Sequence, residues 1–130
     1  MDKSTIPDSH RSLLDGPILV LATLESDGTP QLSTVWFVVE DDTVVISLNT
    51  TRHKTVNLQR NPVCSVLIPD AANPYRYVEI RGRAEITPDD GYAVADRVGA
   101  KYGADLREMD HEGETRVAVT IIPSRVRAWG

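Results

Sequence analysis

The stretch ILVLATLESDGTPQLSTVWFVV, residues 18–39, decides the fold of this chain. Two runs rich in apolar and β-branched side chains, 18–24 and 31–39, flank the turn sequence SDGTP at 26–30. An Asp-Gly pair between two such runs is a strong signal for a β-hairpin. The chain is therefore predicted to build an antiparallel sheet around this hairpin.

Four further segments have the strand pattern, so we expect six strands in all. These segments are 43–48, 63–69, 75–86 and 114–123. The longest of them carries a row of polar side chains that share one face of the strand, which indicates that this face borders an interface or a site. The row consists of Tyr75, Tyr77, Glu79, Arg81 and Arg83.

Three short helices are expected beside the strands. Residues 8–15 form the first, a second follows a Thr51 cap over 52–61, and a third starts near Thr87 and ends at Gly103. A mainly β fold follows, a six-stranded antiparallel barrel with short covering helices. So small a barrel leaves little interior volume, so we expect the binding site on its outside, with a second subunit completing it.

Bulk composition narrows the class of protein. The chain has 130 residues, 41% of them hydrophobic, and a net charge of −5, which fits one globular domain over residues 1–130 and argues against a nucleic-acid partner. No run approaches the length of a membrane span, and the first residues have no secretory pattern. A single cysteine, Cys64, fits a reducing compartment, so the protein is expected to be cytoplasmic.

The segment SLNTTRHKTVNLQRN, residues 47–61, carries the chemistry. A strand leads into a polar turn and then a helix, whose first backbone amides attract anions. Thr50 and Thr51 add hydroxyl donors, Arg52 a planar fork for phosphate oxygens, and Lys54 a point charge. In isolation, such a run is more often a capped surface helix with solvated basic residues. Both interpretations stay open on the residues alone.

Four stretches together resemble a known superfamily. In chain order they are PQLSTVWF, SLNTTRHKTVNLQRNP, NPYRYVEIRGRAEIT and RVAVTIIPSRV. They are similar to the pyridoxamine 5'-phosphate oxidase-like split-barrel superfamily, and within it to branch B of the actinobacterial flavin/deazaflavin oxidoreductases, which use coenzyme F420. The most specific pieces are R-x-K-x-x-N-L-x-R-N-P at 52–62 and N-P-Y-R-Y-x-E-x-R-G at 73–82.

The resemblance implies a split β-barrel that works as a homodimer, with its cofactor site at the subunit interface. Arg52 and Lys54 would hold the cofactor phosphate, Trp36 would line the substrate pocket, and Tyr75 to Tyr77 would reach the cofactor across the dimer. The full set of implied cofactor contacts is Ser33, Thr34, Val35, Leu48, Asn49, Thr50, Arg52, Lys54, Asn57, Tyr75, Arg76 and Tyr77.

The implied activity is transfer of a hydride from reduced F420 to an electron-poor small molecule such as an enone or a quinone. Two departures argue against pyridoxine phosphate oxidation: 33–38 carries no basic residue, and the chain ends at Gly130 without the substrate-gripping extension. FMN is the alternative cofactor, and a non-catalytic binder of a flavin, deazaflavin or haem is the alternative function. No catalytic residue is assigned, since Tyr75, Tyr77 and His53 are unranked proton donors.

A metal site is not expected from the ligand spacing. The three histidines, His10, His53 and His111, are far apart, and no paired cysteine or histidine motif occurs. The acidic run DHEGE at 110–114 is interpreted as a solvated loop.

Overall fold

A computed structural model describes residues 5–130 and contains one seven-stranded antiparallel sheet. The order of the strands across the sheet is β2-β1-β5-β6-β7-β4-β3. The strands are β1 (Leu19–Leu24), β2 (Pro30–Val35), β3 (Val38–Glu40), β4 (Thr43–Asn49), β5 (Val63–Pro69), β6 (Tyr77–Pro88) and β7 (Arg116–Trp129). The sheet curls as the expected split barrel does, so the predicted fold class is confirmed.

The strand count differs from the predicted six because the expected strand 31–39 divides in two. β2 ends at Val35 and β3 begins at Val38, and these two strands form the opposite ends of the strand order. Only Trp36 and Phe37 join them, so the sheet must curl until its edges meet at this point. The sequence VWFVV at 35–39 is an unbroken apolar run through the crossing, and it therefore hides the change of neighbouring strand from sequence patterns.

Two α-helices and two 3-10 helices cover the openings of the curled sheet. The 3-10 helices are Asp8–Asp15 and Leu106–Met109, and the α-helices are α1 (His53–Arg60) and α2 (Ala93–Tyr102). Leu58 of α1 and Leu13 of the first 3-10 helix are buried in the core that the inward side chains of the strands form. None of the helices in residues 5–130 has the length and apolar character needed to cross a membrane.

The third helix begins later than the sequence predicts. Thr87 and Pro88 belong to β6, where they pair with Ala118 and Val117 of β7. α2 begins only at Ala93, and the Asp89 carboxylate accepts hydrogen bonds from the backbone amides of Val94 and Ala95 at 3.2 and 3.0 Å. Asp89 therefore performs the capping that had been expected of Thr87.

The long pairing of β6 with β7 is interrupted by a bulge at Gly82. The register shifts between Arg81 and Gly82, and here the backbone of β7 passes close to β6. A Cβ added at Gly82 would overlap the carbonyl oxygen of Ile122. Glycine is needed at this position because of space, since the two strands meet backbone to backbone.

We expect Gly82→Ala to lower the free energy of unfolding by about 2 kcal/mol or more, because the added methyl forces β6 and β7 apart. Urea denaturation followed by circular dichroism measures the change. Gly91→Ala is the matched control, because a Cβ there meets no atom within 4 Å. Equal stability of the two variants would contradict the steric interpretation.

Candidate functional site

A cavity of about 510 Å³ lies beside the seam where the edges of the sheet meet. Its walls come from the end of β2, the end of β4, the start of α1 and the segment that links α2 to β7. Seven of the residues implied by the resemblance line it: Thr34, Val35, Trp36, Leu48, Asn49, Arg52 and Lys54. These seven residues come from two separate stretches of the sequence, 34–36 and 48–54, which the tertiary structure brings together around one space.

Two cations, Arg52 and Lys54, line this cavity without a counter-ion in residues 5–130. Lys54 is only 8% exposed, and Arg52 precedes the first residue of α1. Neither side chain makes a hydrogen bond or an ion pair with any part of the chain that the structure describes. Burial, together with the nearby Arg52 charge, lowers the pKa of Lys54. A buried ammonium without a partner is unfavourable, so this wall is suited to an anion that would enter the cavity.

The start of α1 adds backbone donors to the same wall. The Arg52 amide donates to the Asn49 carbonyl oxygen at 3.1 Å, and the Thr55 amide donates to that of Arg52 at 3.0 Å. Within residues 5–130 the amides of His53 and Lys54 have no acceptor. Free amides at the first turn of a helix bind anions together with nearby cationic side chains.

Asn49 joins the turn before α1 to the segment before β7. Its Oδ1 accepts hydrogen bonds from the Thr51 amide at 2.8 Å and the Thr51 hydroxyl at 2.7 Å. Its Nδ2 donates to Asp110 at 2.9 Å and to Glu114 at 3.1 Å. One correction follows: Thr51 does not cap α1, since its hydroxyl is bonded to Asn49. The Asn49 side chain makes its hydrogen bonds inside the protein, although the residue borders the cavity.

Asp110 and Arg116 form a buried ion pair on the cavity wall. The Arg116 guanidinium donates to both carboxylate oxygens at 2.8 and 2.9 Å, and Tyr92 Oη donates to the same carboxylate at 2.6 Å. Burial alone would raise the pKa of Asp110, but these hydrogen bonds outweigh it and hold the pKa at about 2. The interpretation of 110–114 as a solvated loop is wrong for Asp110, whose side chain is 5% exposed.

Another part of the cavity lining is apolar. Trp36 stands there with Val98, Leu106 and Met109. Its indole is stacked on the ring of Tyr102, with 4.4 Å between ring centroids and 6° between planes. The cavity lining therefore includes both a cationic pair, Arg52 and Lys54, and an aromatic and aliphatic group around Trp36.

Three of the implied residues have their polar groups outside the cavity lining. The Ser33 hydroxyl oxygen is buried and has no hydrogen-bond partner in the described chain. The Thr50 hydroxyl is bonded to Thr115 at 2.9 Å. Asn57 is fully buried, with its Nδ2 donating to the Thr23 hydroxyl at 3.1 Å. Asn57 is thus engaged in attaching α1 to β1, and its implied contact with a cofactor has no support from its position.

Tyr75, Arg76 and Tyr77 lie away from the cavity in their own chain. Tyr77 pairs with Trp129 at one end of β6, whereas Pro88, at the other end, pairs with Val117 beside the cavity. Tyr75 is among the most exposed large side chains. Any contact of this segment with a ligand in the cavity would have to come from a second subunit, as the resemblance implies.

Several cavity residues were missed by the sequence interpretation. Ile18, Ser47, Val98, Leu106, Met109, Asp110, His111, Glu114 and Arg116 all line the space. Arg116 stands directly opposite Asn49 in the pairing of β4 with β7. No short-range signal could reveal this pairing, because 67 positions separate its members in the chain (116 − 49 = 67). No cluster of three or more metal-ligating side chains occurs in residues 5–130.

The curled sheet and the cavity beside its seam define a split-barrel protein. The family model described as pyridoxamine 5'-phosphate oxidase matches residues 6–130, so the chain belongs to this family. It is similar to an F420 reductase of known structure, with 33% identity, 94% of this chain and 98% of the other covered, and a TM-score of 0.83.

Two further solved structures show how widely the fold is used. A conserved hypothetical protein of Mycobacterium tuberculosis is 26% identical over 99% of this chain and 88% of its own, with a TM-score of 0.77. The haem storage protein HutZ of Vibrio cholerae has a TM-score of 0.78 over 97% of this chain and 96% of its own, at 16% identity. The second likeness concerns the fold alone.

We expect Asp110→Asn to lower the free energy of unfolding at pH 7 by about 3 kcal/mol, because it leaves the Arg116 guanidinium buried without an anion. Asp96→Asn, which removes an exposed partner of Arg107, is the control and should cost about 1 kcal/mol or less.

The Asp110→Asn variant should also differ from wild-type protein in how its free energy of unfolding depends on pH. The pKa of Asp110 is about 2 in the folded protein against an ordinary 3.8. Its contribution to stability is therefore complete above about pH 4 and is lost as the pH falls towards 2. Wild-type protein should lose this stability over that range and Asp110→Asn should not, as measured by urea denaturation at each pH. If the free energy of unfolding fell equally with pH in both proteins, the lowered pKa assigned to Asp110 would be contradicted.

Proposed function

We propose that this protein is an F420H2-dependent reductase that transfers a hydride from a reduced deazaflavin to an electron-poor small molecule of the enone or quinone type. The observation that carries the proposal is that Arg52, Lys54 and the first amides of α1 line one cavity and have no partner in residues 5–130. The 33% identity to an F420 reductase over nearly the whole of both chains supports the choice of coenzyme.

The residues of the cavity fit such a coenzyme. Lys54 and the guanidinium of Arg52 would hold the phosphate, and Thr34, Val35 and Leu48 would line the path of the ribityl chain and ring. A bound 5-deazaflavin supplies hydride transfer in two-electron steps. The protein binds and orients it, and the apolar part of the cavity lining keeps water from the reacting face.

No catalytic proton donor is assigned among the three candidates. His53 is turned to Glu25, with its Nε2 at 2.7 Å from the carboxylate, and does not line the cavity. Tyr75 and Tyr77 are remote within their own chain. In the proposed reaction the proton comes from solvent, or from a tyrosine of a second subunit.

A homodimer is part of the same proposal. On the outer face of the sheet, Leu32 is 64% exposed and Val63 is 52% exposed. The residues that lie between them across the sheet, Ala22 and Ser65, are small. Thr34 stands on this face and also lines the cavity. A second subunit seated on this face would cover the apolar side chains and border the cavity.

Two alternatives remain to be separated by experiment. An FMN-dependent oxidoreductase would use the same cationic wall, although 33–38 has no basic residue of the kind that FMN-binding pyridoxine phosphate oxidases carry. A non-catalytic carrier would bind the coenzyme without turnover. Mixing with reduced F420 and a panel of enones and quinones distinguishes an enzyme from a carrier.

Arg52→Ala and Lys54→Ala are each expected to weaken F420 binding by about 1–3 kcal/mol, because each removes a charged hydrogen bond to the phosphate. Titration followed by F420 fluorescence gives the dissociation constants. Arg97→Ala, which removes an exposed arginine paired with Glu40 outside the cavity, is the control and should bind normally. Unchanged affinity in both variants would refute the phosphate site, and tight FMN binding without F420 binding would reverse the choice of coenzyme.

The double variant Leu32→Glu with Val63→Glu is expected to be monomeric where wild-type protein is dimeric, since charges on both subunits would face each other at the interface. Sedimentation velocity measures the mass, and F420 titration should show weaker binding by the monomer. Val56→Glu, at an exposed apolar position on α1, is the control. A wild-type protein that is monomeric and still binds F420 tightly would contradict the dimer proposal.

A further inference from the structure

The crossing between β2 and β3 leaves the peptide groups of Phe37 without a strand partner. Pairing with β1 ends at Val35, and pairing with β4 begins at Val38. The last turn of α2 supplies the missing partners. The Phe37 amide donates to Tyr102 Oη at 3.1 Å, and the Phe37 carbonyl oxygen accepts from Tyr102 Oη at 3.3 Å and from Lys101 Nζ at 2.9 Å.

Tyr102 therefore holds the crossing in two ways. Its hydroxyl is bonded to the backbone of Phe37, and its ring is stacked in parallel on the indole of Trp36. The Lys101 ammonium lies 3.8 Å from the centroid of the Phe37 ring. Backbone and indole at the crossing are thus fixed by one helix end, which stops at Gly103 in the left-handed conformation.

The fixed indole stands between Tyr102 and the cavity. Trp36 is part of the cavity wall, whereas Tyr102 is not. Val98 and Leu106 belong to the same apolar cluster and continue the wall. A flat conjugated surface held in one orientation favours a flat conjugated ligand, because offset stacking depends on the angle between the rings.

We propose that Tyr102 is a positioning residue, which acts through Trp36 to present a flat wall on which the planar conjugated ring of the acceptor substrate stacks. The inference rests on the proposed reductase function. It narrows the acceptor class from small electron-poor molecules in general to planar conjugated ones, with quinones of fused rings preferred over small flexible enones.

The test uses Trp129→Phe protein as background, so that Trp36 is the only tryptophan. In this background Tyr102→Leu removes the stacked ring, and Tyr102→Phe keeps the ring while removing the hydroxyl. Near-ultraviolet circular dichroism and Trp36 fluorescence of the ligand-free protein report the orientation of the indole. Both spectra should change in Tyr102→Leu, and Tyr102→Phe should remain close to the background protein.

Kinetics with two acceptors then separate positioning from a general structural loss. With reduced F420, Tyr102→Leu should raise the KM for menadione, a planar fused-ring quinone, about tenfold, the ratio that corresponds to one lost stacking contact. The kcat/KM for 2-cyclohexen-1-one should change by less than about twofold, and the dissociation constant of F420 should stay unchanged, since neither depends on the stack. Tyr102→Phe should keep most of the menadione affinity.

Several results would overturn the proposal. Equal losses for both acceptors would mean that Tyr102 is only structural, and an unchanged Trp36 spectrum in Tyr102→Leu would mean that it does not hold the indole. A loss of F420 affinity in place of a raised menadione KM would assign the wall to the coenzyme ring. If wild-type protein shows no turnover with reduced F420, the reductase proposal fails by itself. Calorimetric binding of menadione then decides, and wild-type affinity in Tyr102→Leu overturns the role of Tyr102.

Discussion

The meeting of the two sheet edges at Trp36 and Phe37 is the constraint on which the rest of the structure depends. Two residues are too short to bridge separated edges, so β2 and β3 can belong to one sheet only if it curls. The peptide groups at the crossing must then find partners elsewhere, and the end of α2 provides them. The cavity lies beside this seam, so the curl that closes the sheet also forms the cavity.

The buried charges around the cavity are of two kinds, one paired with an opposite charge of the protein and one without such a partner in the described chain. The Arg116 guanidinium donates hydrogen bonds to both carboxylate oxygens of Asp110. Tyr92 and Asn49 donate further hydrogen bonds to the same carboxylate. This pair is a satisfied part of the scaffold. Lys54 is buried to a similar extent and has no anion in the described chain. Desolvation without compensation is tolerated at binding sites, where a ligand completes the pairing.

Asn49 shows how a binding residue and a scaffold residue are told apart. It sits in the motif next to the cations, which makes it a candidate ligand contact by position. Its side chain nevertheless makes bonds to Thr51, Asp110 and Glu114, and so fixes the turn in which the free amides of α1 begin. Asn49 therefore fixes the shape of the turn from which the proposed anion site is built.

By itself, the sequence determined an antiparallel sheet, the hairpin around the turn at 26–30, most strand bounds, and the placing of Arg52 and Lys54 at a helix start. These features follow from short-range patterns of apolar residues and from turn residues. Only the tertiary structure decided the division of the second strand and the joining of Asn49 to Arg116 across β4 and β7. The same holds for the stack of Tyr102 on Trp36. The physical reason is that these contacts depend on strand order and on the curl of the sheet, which bring together residues that no local pattern relates.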